Sequence, residues 1–363
     1  MQEVKKIKIY TMEREMASVI GQNAKENLYA FIKRMNHPVE EHWEKEVLAA
    51  ALRDLVVERP EYLLYIYGRE CLEFLLRLWE SEELELTRAE WSMLGQLRLL
   101  GIVDYGYPER AEQEIDSIYL TEEAREHFYF YLKSKSARHY MNKYEDWEII
   151  LRGMMSFYGI LSFSRLYFYF CKVCREPVDD EVLHLFLSVR LSLLSFGSFA
   201  IEKGSQTEYY QNYEISNPEK VLDYRTEEQK LEYYLPSYDT LYFIGNNNGL
   251  GEWEGVHRLA DLLMNELGTE YYKTVVIIKS CVLMLQNGET WEDTLAQFTQ
   301  WCPESDAYEV EIKKAVRQLY DTVPVYRLKG WSREKLRQKD KKHHHAFRVI
   351  QGGKSDSKGG IID

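Results

Sequence analysis

The chain has 363 residues, 45% hydrophobic and 29% charged, with a formal net charge of −13. That length allows two or three domains with a sizeable core, and the acidic balance excludes broad coating of nucleic acid, which needs clustered Lys and Arg. Five cysteines, an odd count, form no disulfide framework and point to a reducing, cytoplasmic setting. The apolar stretches are broken by Arg165, Arg190 or Lys279, or are short for a bilayer span of about 20 residues, so no membrane partner is expected. The first residues lack the apolar core of a signal peptide.

The predicted elements make the chain mainly α. An N-terminal helical segment, 1–40, holds a helix over 24–36 that Pro38 stops. A second domain, 41–140, opens with a helix over 44–57, and Pro60 starts a third, rich in leucine and aromatics at helical spacing. Thr87-x-x-Glu90 is a capping box, in which each side chain satisfies a free backbone N–H at a helix start. Trp91, Leu94, Leu97 and Leu100 then share a face up to Gly101. "IVDYG" and "SIYL" read as strands around a polar loop, and Thr121 caps the helix "EEAREHFYFYLKS". This order is winged-helix-like: the helix before the hairpin could enter a major groove with Arg88, Gln96 and Arg98. Asp104, Glu109, Glu112, Glu114 and Asp116 outweigh Arg110 in the wing and would repel phosphate. A structural or protein-binding winged helix is therefore expected.

Residues 141–326 read as a larger helical domain with a small β-hairpin. "NKYEDWEIILRGMMSFYGI" leads into "SFSRLYFYFCKVC", and Asp179 caps "DEVLHLFLSVRLSLL". Alternating runs flank Gly204-Ser205, the hairpin signal. "NPEKVLDYR" is a short helix, and the chain turns at Pro236. Val256, Leu259, Leu263 and Leu267 form one stripe, "YYKTVVIIKSCVLMLQ" ends at Asn287-Gly288, and stripes at 291–298 and 312–319 complete antiparallel helical hairpins.

Cys171-x-x-Cys174 is the sharpest short motif. It lacks further zinc ligands and sits at a helix end whose dipole disfavours thiolate, so both are read as structural thiols. "GNNNGLGEWEG" has neither the Lys-Ser/Thr of a P-loop nor G-x-G-x-x-G spacing, and reads as a flexible turn. No HExxH or GxSxG is present, and the remaining histidines are scattered. Neither a catalytic constellation, a metal site nor a cofactor is expected. The charge anomaly is the tail, 327–363, expected to be partly disordered. It carries Lys329, Trp331, Arg333, Lys335, Arg337, Lys339, Lys341, Lys342 and Arg348 against few acids. Ser332 can cap a helix on which Lys335, Lys339 and Lys342 share a side. Such a helix suits a nucleic acid or an acidic protein face.

Four short stretches carry a resemblance: "FYGILSFSRLYFYF", "FAIEKG", "DYRTEEQKLEYYLPSYDTLYFI" and "VPVYRLKGWSREKL". Together the region of about 144–336 resembles a group of uncharacterised bacterial helical proteins, many ending in an SEC-C motif, a cysteine-rich zinc tail that docks on partners. "AFRVIQGGKSDSKGG" resembles the linker before that tail, yet no cysteine follows Cys302, so the motif itself is absent. The resemblance implies a helical adaptor body and supplies no catalytic residues. The expected function is a non-enzymatic adaptor that binds a protein partner through an aromatic-rich helical surface and the basic tail. The alternative is a nucleic-acid-associated regulator using the winged-helix-like unit and that tail.

Overall fold

A computed structural model describes residues 6–105, 117–191, 194, 196–202, 205–227 and 230–339. The protein is mainly α, and the described residues form one four-stranded and one three-stranded sheet. Among the described residues, no helix is long and apolar enough to cross a membrane. The chain divides into two compact units, 1–148 with 176–198, and 149–175 with 199–363.

In the first unit, helices Met16–Ile20, Lys25–Arg34 and Lys45–Glu58 bury Val19, Ile20, Leu28, Ile32, Leu48, Leu52 and Val56 against one another. Each such side chain contributes about 1.5–3 kcal/mol by leaving water. The first forty residues were expected to be helical, but they also hold a strand, β1 (Lys6–Met12). It lies inside a sheet with β2 (Glu83–Glu85), β3 (Val103–Tyr105) and β4 (Ser117–Thr121), in the order β2-β1-β4-β3. β1 runs parallel to β4, from Lys8 opposite Ser117 to Met12 opposite Thr121. Its partners lie more than seventy residues away, so nothing local in the sequence announces it. The wing residues Glu109, Arg110, Glu112, Glu114 and Asp116 fall outside the described residues.

The long helix expected after Pro60 is two helices, Tyr62–Ile66 and Arg69–Glu80. The extended backbone at Tyr67 and Gly68 turns Tyr67 inward, where its hydroxyl donates to the Gln96 carbonyl at 2.9 Å. The capping box forms as read: Thr87 N donates to Glu90 Oε2 at 2.7 Å, and Glu90 N to Thr87 Oγ1 at 3.3 Å. Thr121 precedes helix Glu122–Lys133, but its side chain does not cap it. The hydroxyl instead donates to the carbonyls of Gly101 and Ile102, at 2.9 and 3.2 Å, tying the strand to the preceding helix end. Asp179 caps Asp180–Phe186 through Val182 N at 3.1 Å.

β5 (Ile160–Ser162), β6 (Gly197–Ile201) and β7 (Glu208–Asn212) form the small sheet, in the order β5-β7-β6. Helix Phe163–Cys174 follows β5 directly and packs on it and on β7. Helices Glu254–Asp261, Tyr271–Asn287, Trp291–Trp301 and Glu309–Thr322 share a core around Leu259, Leu263, Cys281, Leu285, Phe298 and Val316. "GNNNGLGEWEG" is more than a turn. Gly245 belongs to helix Tyr238–Asn246, and a Cβ there would lie 1.9 Å from the Ile149 carbonyl oxygen.

Candidate functional site

Residues 323–332 fold back on themselves. Pro324 bridges to Ser332, Val325 N donates to the Trp331 carbonyl at 3.1 Å, and Lys329 N donates to the Tyr326 carbonyl at 3.2 Å. Lys329 and Gly330 close this turn in the left-handed region, at φ 57° and 83°. A Cβ on Gly330 would stand 2.6 Å from the Phe157 ring, so only glycine lets the turn lie this close. The turn holds Lys329 on the inside, 5% exposed.

Beneath it lies Arg225, on helix Pro218–Glu227 and buried. Its Nε donates to the Tyr326 carbonyl at 2.8 Å, Nη1 to the Ile160 carbonyl at 2.6 Å and Nη2 to the Tyr158 carbonyl at 2.6 Å. One planar guanidinium thus joins β5, the end of the preceding helix and the C-terminal turn. Burial pulls its pKa below the ordinary arginine range, and the nearby Arg165 charge adds to that, while Tyr233 and Tyr158 oppose it. Burial likewise pushes the Tyr158 and Tyr326 hydroxyls well above the usual tyrosine range.

Beside this staple lies a cavity of about 420 Å³ lined by Ser162, Arg165, Tyr209, Leu222, Arg225, Thr226, Tyr233 and Lys329. Its lining has three cations and no carboxylate. All three cations surround one ring: Arg165, Arg225 and Lys329 lie 4.8, 5.4 and 5.8 Å from the Tyr233 centroid. The Tyr233 stretch is fixed by its neighbours. Trp331 Nε1 donates to the Glu232 carbonyl at 2.7 Å, Tyr234 N to the Lys329 carbonyl at 3.1 Å, and the Tyr158 hydroxyl to the Tyr234 carbonyl at 2.7 Å. Cations at a concave site of this size suit an anionic ligand.

Of the described residues expected to bind a partner or nucleic acid, only Lys329 lines this cavity. Trp331 braces its rim through Glu232. Arg333 lies over the Tyr320 ring at 3.8 Å and donates to the Tyr320 carbonyl at 3.0 Å. Lys335 reaches the Tyr234 hydroxyl at 2.8 Å, Arg337 pairs with Asp321 at 2.9 Å, and Lys339 lies over Trp331 at 4.7 Å. Residues 333–339 are helical, and Lys335 N donates to the Ser332 hydroxyl at 3.2 Å. Lys341, Lys342 and Arg348 lie outside the described residues. In the other unit, Arg88 is exposed, while Arg98 pairs with Asp104 at 3.2 Å and also bonds Gln22.

Sequence reading missed Arg165, Arg225 and Tyr233 as site residues. The signal was present in three of the four short stretches quoted above, which supply Ser162, Arg165, Arg225, Thr226, Tyr233 and Lys329. Cys171 and Cys174 are unbridged and half-buried. Among the described residues no group of three or more His, Cys, Asp or Glu side chains could hold a metal. Comparison with protein-family models, curated proteins and solved structures finds no match.

Proposed function

We propose that this protein is a non-enzymatic adaptor that holds its partner through the second unit, seating an anionic group of that partner in the Tyr233 cavity. The observation that carries this reading is the convergence of three cations on one tyrosine in a cavity whose lining has no carboxylate. Arg225 is spent on carbonyls, so it supplies charge, and the Thr226 hydroxyl donates to the Leu222 carbonyl at 3.0 Å, while Arg165, Lys329 and the hydroxyls of Ser162 and Tyr209 supply contacts. The unbridged cysteines support a reducing, cytoplasmic setting. The resemblance to proteins that end in SEC-C tails supports adaptor duty as well.

A pull-down from bacterial lysate with full-length protein and Arg165→Glu, each with and without nuclease, tests the reading. A protein partner that survives nuclease and is lost with Arg165→Glu is the expected result. Partners released by nuclease, or indifferent to Arg165, overturn it.

The helix Arg88–Leu99 followed by the antiparallel β3–β4 pair favours a second reading, a winged-helix-like nucleic-acid regulator. It is the weaker one because Arg98, Arg333, Lys335 and Arg337 already have partners within the chain. A steep fall of nucleic-acid affinity with salt, lost on removing residues after Arg327, would establish it.

A further inference from the structure

Three further features of the molecule carry less chemistry than the Tyr233 cavity. Arg190 is buried beside Glu148, but their 2.8 Å contact makes them a structural ion pair. The cavity of about 310 Å³ near Trp253 mixes Glu252, Glu254 and Glu334 with a single lysine, so no ligand charge is selected. The exposed Tyr10–Tyr119 stack lies in a sheet whose neighbouring strand carries Glu83 and Glu85. Only the Tyr233 cavity specifies a chemistry.

Resting on the anion reading above, we infer that the Tyr233 cavity takes the terminal phosphate of a phosphate monoester, in its dianionic form. The argument is one of charge and reach. A carboxylate, a sulfate ester or a phosphodiester brings one negative charge, whereas a phosphate monoester brings about −1.5 to −2 at neutral pH together with three acceptor oxygens. Three cations within 6 Å of one ring match the larger charge. The oxygens match donors of different kinds: the Arg165 fork, the Lys329 ammonium and the Ser162 hydroxyl. Lys329 is 5% exposed, so a terminal group reaches it and a through-running backbone does not. The rings of Tyr209 and Tyr233 offer flat walls to a planar group next to the phosphate. A phosphorylated tyrosine side chain and a free nucleotide share this chemistry.

The test is calorimetric titration of full-length protein with phenyl phosphate, phenyl sulfate and benzoate at pH 7.5. Phenyl phosphate should bind about tenfold or more tightly than phenyl sulfate, its singly charged isostere. Lowering the pH through about 6, where the monoester takes up a proton, should erase most of that preference. Arg165→Gln, at an exposed position, should weaken phenyl phosphate about tenfold while leaving the thermal midpoint unchanged. A phosphotyrosyl peptide and a nucleoside 5′-monophosphate, run beside phenyl phosphate, assign the source by which of them gains affinity over it. Equal binding of phosphate and sulfate esters, both weakened by Arg165→Gln, overturns the dianion inference and leaves the anion pocket standing. Binding insensitive to Arg165→Gln overturns the inference by placing the ligand elsewhere. No binding by any of these anions overturns the pocket reading itself.

Discussion

Arg225 is the residue on which the second unit turns. Its guanidinium satisfies three buried carbonyls that water cannot reach. Lysine has a flexible stem in place of the planar fork and cannot reach all three, so Arg225→Lys should cost about 3 kcal/mol, read as a shift of the urea midpoint. Gly330 is the second sensitive point. Alanine there would need the left-handed backbone at φ 83° and would press on Phe157. Gly330→Ala should destabilise by about 2 kcal/mol or more and should also weaken anion binding, since the same turn aims Lys329. An alanine variant that melts and binds like the natural protein would show that the turn relaxes freely.

Between elements, helix Lys135–Tyr158 and helix Tyr238–Asn246 approach closely. Cβ atoms on Gly153 and Gly245 would lie 2.0 and 1.9 Å from opposing backbone oxygens, so two bare backbones touch. Gly245→Ala must push the helices apart and should cost about 2–3 kcal/mol by chemical denaturation. This element pair shows what the sequence made legible. The helix at 25–34, the Thr87 box and the Asp179 cap were readable because their signals lie within four residues. The mainly helical class followed from the same periodicity. Strand β1, the break at Tyr67-Gly68 and the cavity were not readable. Each depends on partners remote in sequence: β1 on residues 117–121, Tyr67 on Gln96, Arg225 on residue 326. Lys329 was singled out for its charge in a basic run, but its inward aim comes from a left-handed turn that charge counting does not see.

For the whole molecule, tyrosine sets the response to alkali. Burial pushes Tyr131 up to about 12 and drives Tyr144, Tyr158 and Tyr326 higher. It also raises the Cys71 and Cys281 thiols to about 12. These groups stay protonated when folded but ionise in the unfolded chain near pH 10 for tyrosine and 8.5 for cysteine. The stability they contribute is therefore full below about pH 8.5 and lost as pH rises toward 12. Absorbance at 295 nm during alkaline titration should show exposed tyrosines ionising first and a second group only with cooperative unfolding. Smooth titration of all 28 near pH 10 would count against the buried assignments. The staple at Arg225 has a bearing on synthesis too. It joins residues 158–160 to residue 326, and the cavity wall is finished only by Lys329. A chain of only the first 300 residues lacks both the Tyr326 carbonyl and Lys329, so it cannot complete the staple or the cavity wall. If the cavity binds an anion as proposed, a chain released before Lys329 would lack that binding, and binding would report that the folded body had been completed.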